Sequence, residues 1–267
     1  MQEIITSTKN QRVKDVRKLA QRKYREVSGL CLVEGLQSVL RAMDQGRDVE
    51  LLIVAPGLLT SELAQRRLDE HLTQFDTECL YVSDQVYASI SDRDNPVGLS
   101  AVVRQSWLDL SELPVDGTSL FVALYEVKNP GNLGTIFRTA ESFGVDGIIL
   151  LGSTADPYDV ASIKASMGTV FSLPVARETS TQRYADWCRE RNLTVITTSA
   201  RAPHSLNTAP WEFPAVILFG SEAQGLPEDL LEQGTLQVRI PMSGQATSLN
   251  LAVAAGIIIY TAARNRV

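Results

Sequence analysis

The sequence is poor in the residues that most hydrolytic and metal-dependent enzymes rely on. In 267 residues it has two histidines, His71 and His204, and three cysteines, Cys31, Cys79 and Cys188. His71 lies among charges on a predicted helix and His204 beside Pro203 in a predicted loop. Neither has the companions that a histidine-based triad or a zinc hydrolase site requires. The cysteines are odd in number, far apart and without a C-x-x-C pair, which argues against a disulfide framework or a structural zinc. No metal is expected. No apolar run approaches the about 20 residues that cross a bilayer, and the first residues lack the charged-then-apolar layout of a signal peptide. The expectation is a cytoplasmic protein with no membrane partner. Also missing are a G-x-G-x-x-G after any strand and the G-x-x-x-x-G-K-[ST] pattern; residues 131–134 supply only G-x-x-G. Ordinary dinucleotide binding and P-loop phosphoryl transfer therefore lose most of their support.

What is present is the composition of an ordinary globular protein, 44% hydrophobic and 21% charged, in a chain long enough for two cores. The net charge of −6 argues weakly against a polyanionic partner, but the charge is unevenly spread. Lys9, Arg12, Lys14, Arg17, Lys18, Arg22, Lys23 and Arg25 share their stretch with the single acid Asp15. A solvated surface helix is the plain interpretation. Unbalanced charge repels itself, however, and such a patch is also the electrostatic footprint of phosphate binding.

Periodicity predicts helices over 9–23, 34–46 and 60–74 and strands at 51–55, 79–82 and 98–103, then a linker over 104–118. This gives a first domain over 1–103 and a second over 119–267. In the second, strands at 119–125, 147–151, 193–198, 215–219 and 236–240 are mostly continuous apolar runs. They alternate with helices at 132–143, 159–166, 181–191, 227–232 and 248–264. The pattern predicts an α/β fold with a mostly parallel sheet covered by helices on both faces, and a smaller α/β domain before it. Ligands gather at the carboxyl ends of such strands, and four polar loops fall there: 129–134, 198–200, 220–225 and 241–248. The last contains Gly244, and Thr247 or Ser248 is placed to cap a following helix that is apolar almost all round.

Three segments carry a resemblance: Asn129-Pro-Gly-Asn-Leu-Gly-Thr-Ile-Phe-Arg-Thr-Ala140, Leu218-Phe-Gly-Ser-Glu-Ala-Gln-Gly-Leu226, and Ile240-Pro-Met-Ser-Gly244 continuing to Ser248-Leu-Asn250. In this order they resemble the motifs of the SpoU/TrmH group of the SPOUT superfamily, RNA ribose 2′-O-methyltransferases that use S-adenosylmethionine. Residues 1–103 look, more loosely, like that group's ribosomal-protein-like substrate-binding domain. The resemblance implies a deep trefoil knot and a homodimer whose subunits share each active site. It implies Arg138 as the central catalytic residue, with Asn132, Glu222, Ser248 and Asn250 around the reaction centre. Gly220, Ile240 and Leu249 are expected to line the cofactor pocket, with Met242, Thr198 and Ser199 as further candidates. The eight basic residues between Lys9 and Arg25 are expected to contact RNA. Ribosomal RNA is the favoured substrate; transfer RNA, or a non-catalytic RNA-binding role, are the alternatives. Two departures stand out: Glu126 where many relatives have aspartate, and Ala223 in place of a frequent glycine.

Overall fold

A computed structural model describes residues 3–245 and 247–266. In chain order its helices are α1 (Gln11–Lys18), α2 (Arg22–Ser28), α3 (Leu36–Asp44), α4 (Glu62–Gln74), α5 (Asp84–Ala88), α6 (Pro130–Ser142), α7 (Val160–Ser166), α8 (Thr181–Glu190), α9 (Glu228–Glu232) and α10 (Leu251–Asn265). Its strands are β1 (Leu30–Glu34), β2 (Val49–Val54), β3 (Glu78–Tyr81), β4 (Leu99–Arg104), β5 (Leu120–Tyr125), β6 (Gly147–Leu151), β7 (Val175–Glu178), β8 (Thr194–Thr198), β9 (His204–Ser205), β10 (Ala215–Phe219) and β11 (Leu236–Arg239). The chain forms two compact units, one of residues up to Gln105 together with Asp156–Ser172, the other of Ser106–Ala155 together with Leu173 onward.

The first unit holds a four-stranded sheet in the order β1-β4-β2-β3, antiparallel except for the β2–β3 pair. Val13 and Val16 of α1 pack with Leu32, Ile53, Leu80 and Val102 of the sheet. The helix expected over 9–23 is two helices. Asn10 caps the first by accepting from Arg12 N, and the chain turns at residues 19–21 before α2 begins. The turn has a physical cause in Arg25. Its Nη1 donates to the carbonyls of Leu19 and Ala20, both at 2.9 Å. Its Nε and Nη2 donate to Asp156 at 2.7 Å and Asp159 at 2.9 Å. Two carboxylates and two carbonyls thus surround a guanidinium that is only 1% exposed.

Asp156 and Asp159 lie far along the sequence, between β6 and β7, so residues 156–172 belong to the first unit rather than to the second, where the sequence pattern put them. The far end of this segment is gripped too: Arg47 Nε donates to Phe171 O at 2.7 Å and Arg41 Nη1 to Ser172 Oγ at 3.4 Å. Gly168, at φ +81°, comes so close to α3 that an added Cβ would stand 2.9 Å from Ser38 Cα. Only glycine meets both demands.

The second unit is a seven-stranded parallel sheet in the order β7-β6-β5-β10-β8-β11-β9. Its central strands β5, β6 and β10 are buried along nearly their whole length, as continuous apolar strands covered on both faces must be. Residues 106–118 are not a free connector. Leu108 bridges Ala176 of β7, and Leu110 and Leu113 are buried in the core beside Phe121 and Trp187. Strands β1, β7 and the two-residue β9 complete the sheets beyond the strands expected from sequence.

Candidate active site

Because β5, β10, β8 and β11 are parallel neighbours, the loops leaving their carboxyl ends emerge along one edge of the sheet. The order also reverses here, with β6 and β7 lying on one side of β5 and the later strands on the other. Such a switch point is where open α/β sheets place their ligands.

At β5, Asn129 caps α6: its Oδ1 accepts from Gly131 N at 2.8 Å and Asn132 N at 3.1 Å, with Pro130 in the first helical turn. At β10, the loop folds back on itself, Ser221 and Gly225 exchanging backbone hydrogen bonds of 3.2 and 2.9 Å. Glu222 at its tip accepts from the backbone amides of Lys128 and Asn129 and from Asn132 Nδ2, each at 3.1 Å. From the third loop, Asn250 Nδ2 donates to Asn132 Oδ1 at 3.1 Å. The amide of Asn132 therefore joins all three motifs, receiving at its oxygen and donating from its nitrogen.

Asn250 is also the cap of α10, its Oδ1 accepting from Ala252 N at 2.9 Å and Val253 N at 3.3 Å. This corrects the expectation that Thr247 or Ser248 caps a helix beginning at 248; the helix begins at Leu251, and Ser248 is an exposed loop residue. Helices α6 and α10 run parallel: Asn132 meets Asn250 in their first turns, Thr139 faces Gly256, and the rings of Phe143 and Tyr260 lie 5.2 Å apart at the far ends. Two helix N-termini thus share this edge, and their partial positive ends favour electron-rich groups. Burial raises the pKa of Glu222, but hydrogen bonds from Asn132 and the amides of Lys128 and Asn129 outweigh it, and the net shift is downward. Glu222 is an anion at neutral pH, and it fastens the loops together.

Arg138 is not in this cluster. It is exposed, and its side chain makes no ion pair or hydrogen bond among the described residues. Six residues beyond Asn132, it stands about 9 Å farther along α6 and about 120° around it. Among the cofactor candidates, Gly220 is buried and Ile240 half-buried, while Met242 and Leu249 are exposed. Thr198 Oγ1 is committed to Leu218 O at 3.1 Å, and Ser199 Oγ accepts from Arg201 N at 3.2 Å, so both hydroxyls serve the strand ends. Sequence reasoning did not single out Lys128 and Asn129, whose amides hold Glu222. Asn129 lies within the quoted motif, as an Asn before Pro that marks a helix start.

In the first unit, the basic stretch is less free than its composition implies. Arg25 is buried, which removes it from the expected RNA contacts. Arg12 pairs with Glu78, Lys18 with Asp15 and Arg22 with Glu26, and Arg17 donates to Thr8 O at 3.0 Å. Lys9, Lys14 and Lys23 are exposed and form no ion pair among the described residues.

Comparisons with known proteins agree with this layout. Residues 119–260 match the model of the SpoU rRNA Methylase family, and residues 10–101 that of the MRM3-like substrate binding domain. An uncharacterized tRNA/rRNA methyltransferase of Synechocystis is 33% identical over 98% of this chain and 94% of its own length. The 23S rRNA (guanosine(2553)-2'-O)-methyltransferase RlmP of Bacillus subtilis is 30% identical over 96% of this chain and 97% of its own. The crystal structure of an AdoMet-bound rRNA methyltransferase from Sinorhizobium meliloti superposes with a TM-score of 0.90 at 34% identity, covering 99% of this chain and 98% of that one. With its three loop motifs joined through Asn132 at the switch point and a substrate-binding domain ahead of them, the chain belongs to the SpoU rRNA methylase family of S-adenosylmethionine-dependent RNA 2′-O-methyltransferases.

Proposed function

We propose that this protein methylates a ribose 2′-hydroxyl of ribosomal RNA in the cytoplasm. The observation that carries the reading is the Asn250–Asn132–Glu222 chain of hydrogen bonds, which gathers the three motif loops at one sheet edge. S-adenosylmethionine fits this edge chemically. Backbone groups of the loops at 220–225 and 240–245 offer polar contacts, and the exposed side chains of Met242 and Leu249 offer apolar ones. When bound it supplies the electrophilic methyl group. The chain's own task is to hold the ribose oxygen in line with that methyl and to manage the hydroxyl proton.

Arg138 is assigned to the charge that develops on that oxygen, not to accepting its proton. A guanidinium has a pKa above about 12, so making it neutral at pH 7 costs roughly 7 kcal/mol. Its charged form instead stabilises the oxyanion developing on the ribose. Arg138→Ala is expected to lower transfer of labelled methyl to ribosomal RNA by roughly 100-fold or more while calorimetric affinity for S-adenosylmethionine persists. Near-normal turnover would sink this assignment. Mapping 2′-O-methylation across total RNA with and without the protein separates ribosomal from transfer RNA.

The reading includes a homodimer. Val253, Ile257 and Tyr260 form an exposed stripe on α10, with Phe143 of α6 beside it. Spacings of four and three residues put these side chains on one helix face, and an apolar face at this density is characteristic of an interface. Ile257→Glu is expected to give monomers by light scattering and to lose methyl transfer together with the dimer. The trefoil knot implied by the resemblance is part of the same proposal.

A further inference from the structure

The burial of Arg25 fixes what α2 shows to solvent. With Arg25 pointing inward, helical geometry turns Lys23, Tyr24 and Val27 outward. Val27 is 82% exposed and Tyr24 is 36% exposed, so α2 presents an aromatic ring and an aliphatic side chain where a solvated helix would carry polar groups. The ring is flanked by cations: the ammonium groups of Lys18 and Lys23 each stand 5.9 Å from its centroid. Lys14 adds an exposed charge on α1. The acids of this stretch, Asp15 and Glu26, are engaged by Lys18 and Arg22.

We propose that Tyr24 is a stacking platform for an unpaired RNA base, with Val27 extending its apolar edge and Lys14, Lys18 and Lys23 taking the adjoining phosphates. The proposal rests on the RNA methyltransferase reading and adds to it a site that reads nucleobases as well as backbone charge. Relative magnitudes favour this occupant. An exposed ammonium over a tyrosine ring is worth about 2- to 5-fold in binding, whereas a base stacked on an aromatic side chain is worth about 5- to 150-fold. A base displaces the lysines from the ring, and the displaced ammonium groups are then within reach of its phosphates. An acidic protein surface could use the lysines but gains nothing from the ring.

The test measures binding of a fluorescein-labelled, single-stranded oligoribonucleotide of mixed sequence to the full-length protein across a salt series. Tyr24→Ala is expected to weaken binding about 10-fold with an unchanged salt slope, because stacking releases no counterions. Tyr24→Phe and Tyr24→Trp are expected to bind as the parent does. The Lys14→Ala/Lys23→Ala variant is expected to weaken binding and to flatten the slope by about one to two units. Tyr24→Ala binding within about two-fold of the parent overturns the platform. So does an equal loss of affinity for heparin, a polyanion without bases, which would mean that only charge is read. Unchanged binding by the lysine variant removes the basic surface altogether. Failure of the methyltransferase reading shows separately, as a parent protein that binds the oligonucleotide yet transfers no methyl group to ribosomal RNA.

Discussion

Gly220→Ala is expected to abolish S-adenosylmethionine binding, lowering affinity by at least about 100-fold in calorimetry. A Cβ at position 220 would lie 2.0 Å from the carbonyl carbon of Gly225 and 2.3 Å from both Gly225 O and Leu226 N. These are backbone atoms, so no side-chain rotation relieves the collision, and the turn closed by Ser221 and Gly225 has to open. Opening it withdraws Glu222 from the amides of Lys128 and Asn129 and from Asn132, and the link to Asn250 loses its anchor. The accompanying loss of stability is about 1–3 kcal/mol, the usual cost of forcing extra volume into a packed site. Binding at parental affinity would show that the turn is not part of the cofactor site.

The second large effect is on stability. Arg25→Ala is expected to destabilise the first unit by about 3–5 kcal/mol, because it strands the carboxylate of Asp156, 6% exposed, without its counter-charge. It also leaves the carbonyls of Leu19 and Ala20 without their donor. Arg25→Lys is expected to recover little, since one ammonium cannot reproduce a planar fork that meets two carboxylates and two carbonyls. The informative companion is Arg25→Met combined with Asp156→Leu. Removing both charges together is expected to cost much less than removing either, as apolar replacements of buried pairs commonly do. Urea unfolding followed by tyrosine fluorescence and circular dichroism measures all four proteins. Equal stability of Arg25→Ala and the parent would contradict the structure's account of this site.

These two positions differ in how far the sequence discloses them. Gly220 sits in a motif recognisable at sight, and its neighbours β5 and β10 are continuous apolar runs that read directly from the chain. The importance of Arg25 is invisible locally. It occurs in a run of bases and looks solvated, because the acids that bury it are 131 and 134 residues away in sequence. The helix break after Lys18 has the same origin. Strand β7, Val-Ala-Arg-Glu, was hidden by its charged half, and β9 by being only two residues long. The start of α10 is ambiguous in the sequence because Thr247, Ser248 and Asn250 are all competent caps; in the structure Asn250, tied to Asn132, is the cap. The same helix is apolar almost all round by composition, yet it is not buried all round. Its inward face is Ala252, Ala255, Ile258, Ile259 and Ala262, while Val253 is 53% exposed.

Residues 156–172 carry a wider consequence. The polypeptide passes between the two units three times, at 105/106, 155/156 and 172/173, so no single cut separates them. A fragment ending at Gln105 lacks the counter-ions of Arg25, the acceptors of Arg41 and Arg47 and the glycine turn against Ser38. The two halves are therefore not interchangeable cassettes. If a lineage acquires a new target-recognition half by recombination, the 156–172 segment must travel with it, although it lies between two stretches of the methylating half in sequence. Specificity and catalysis in this protein are inherited as an interleaved pair.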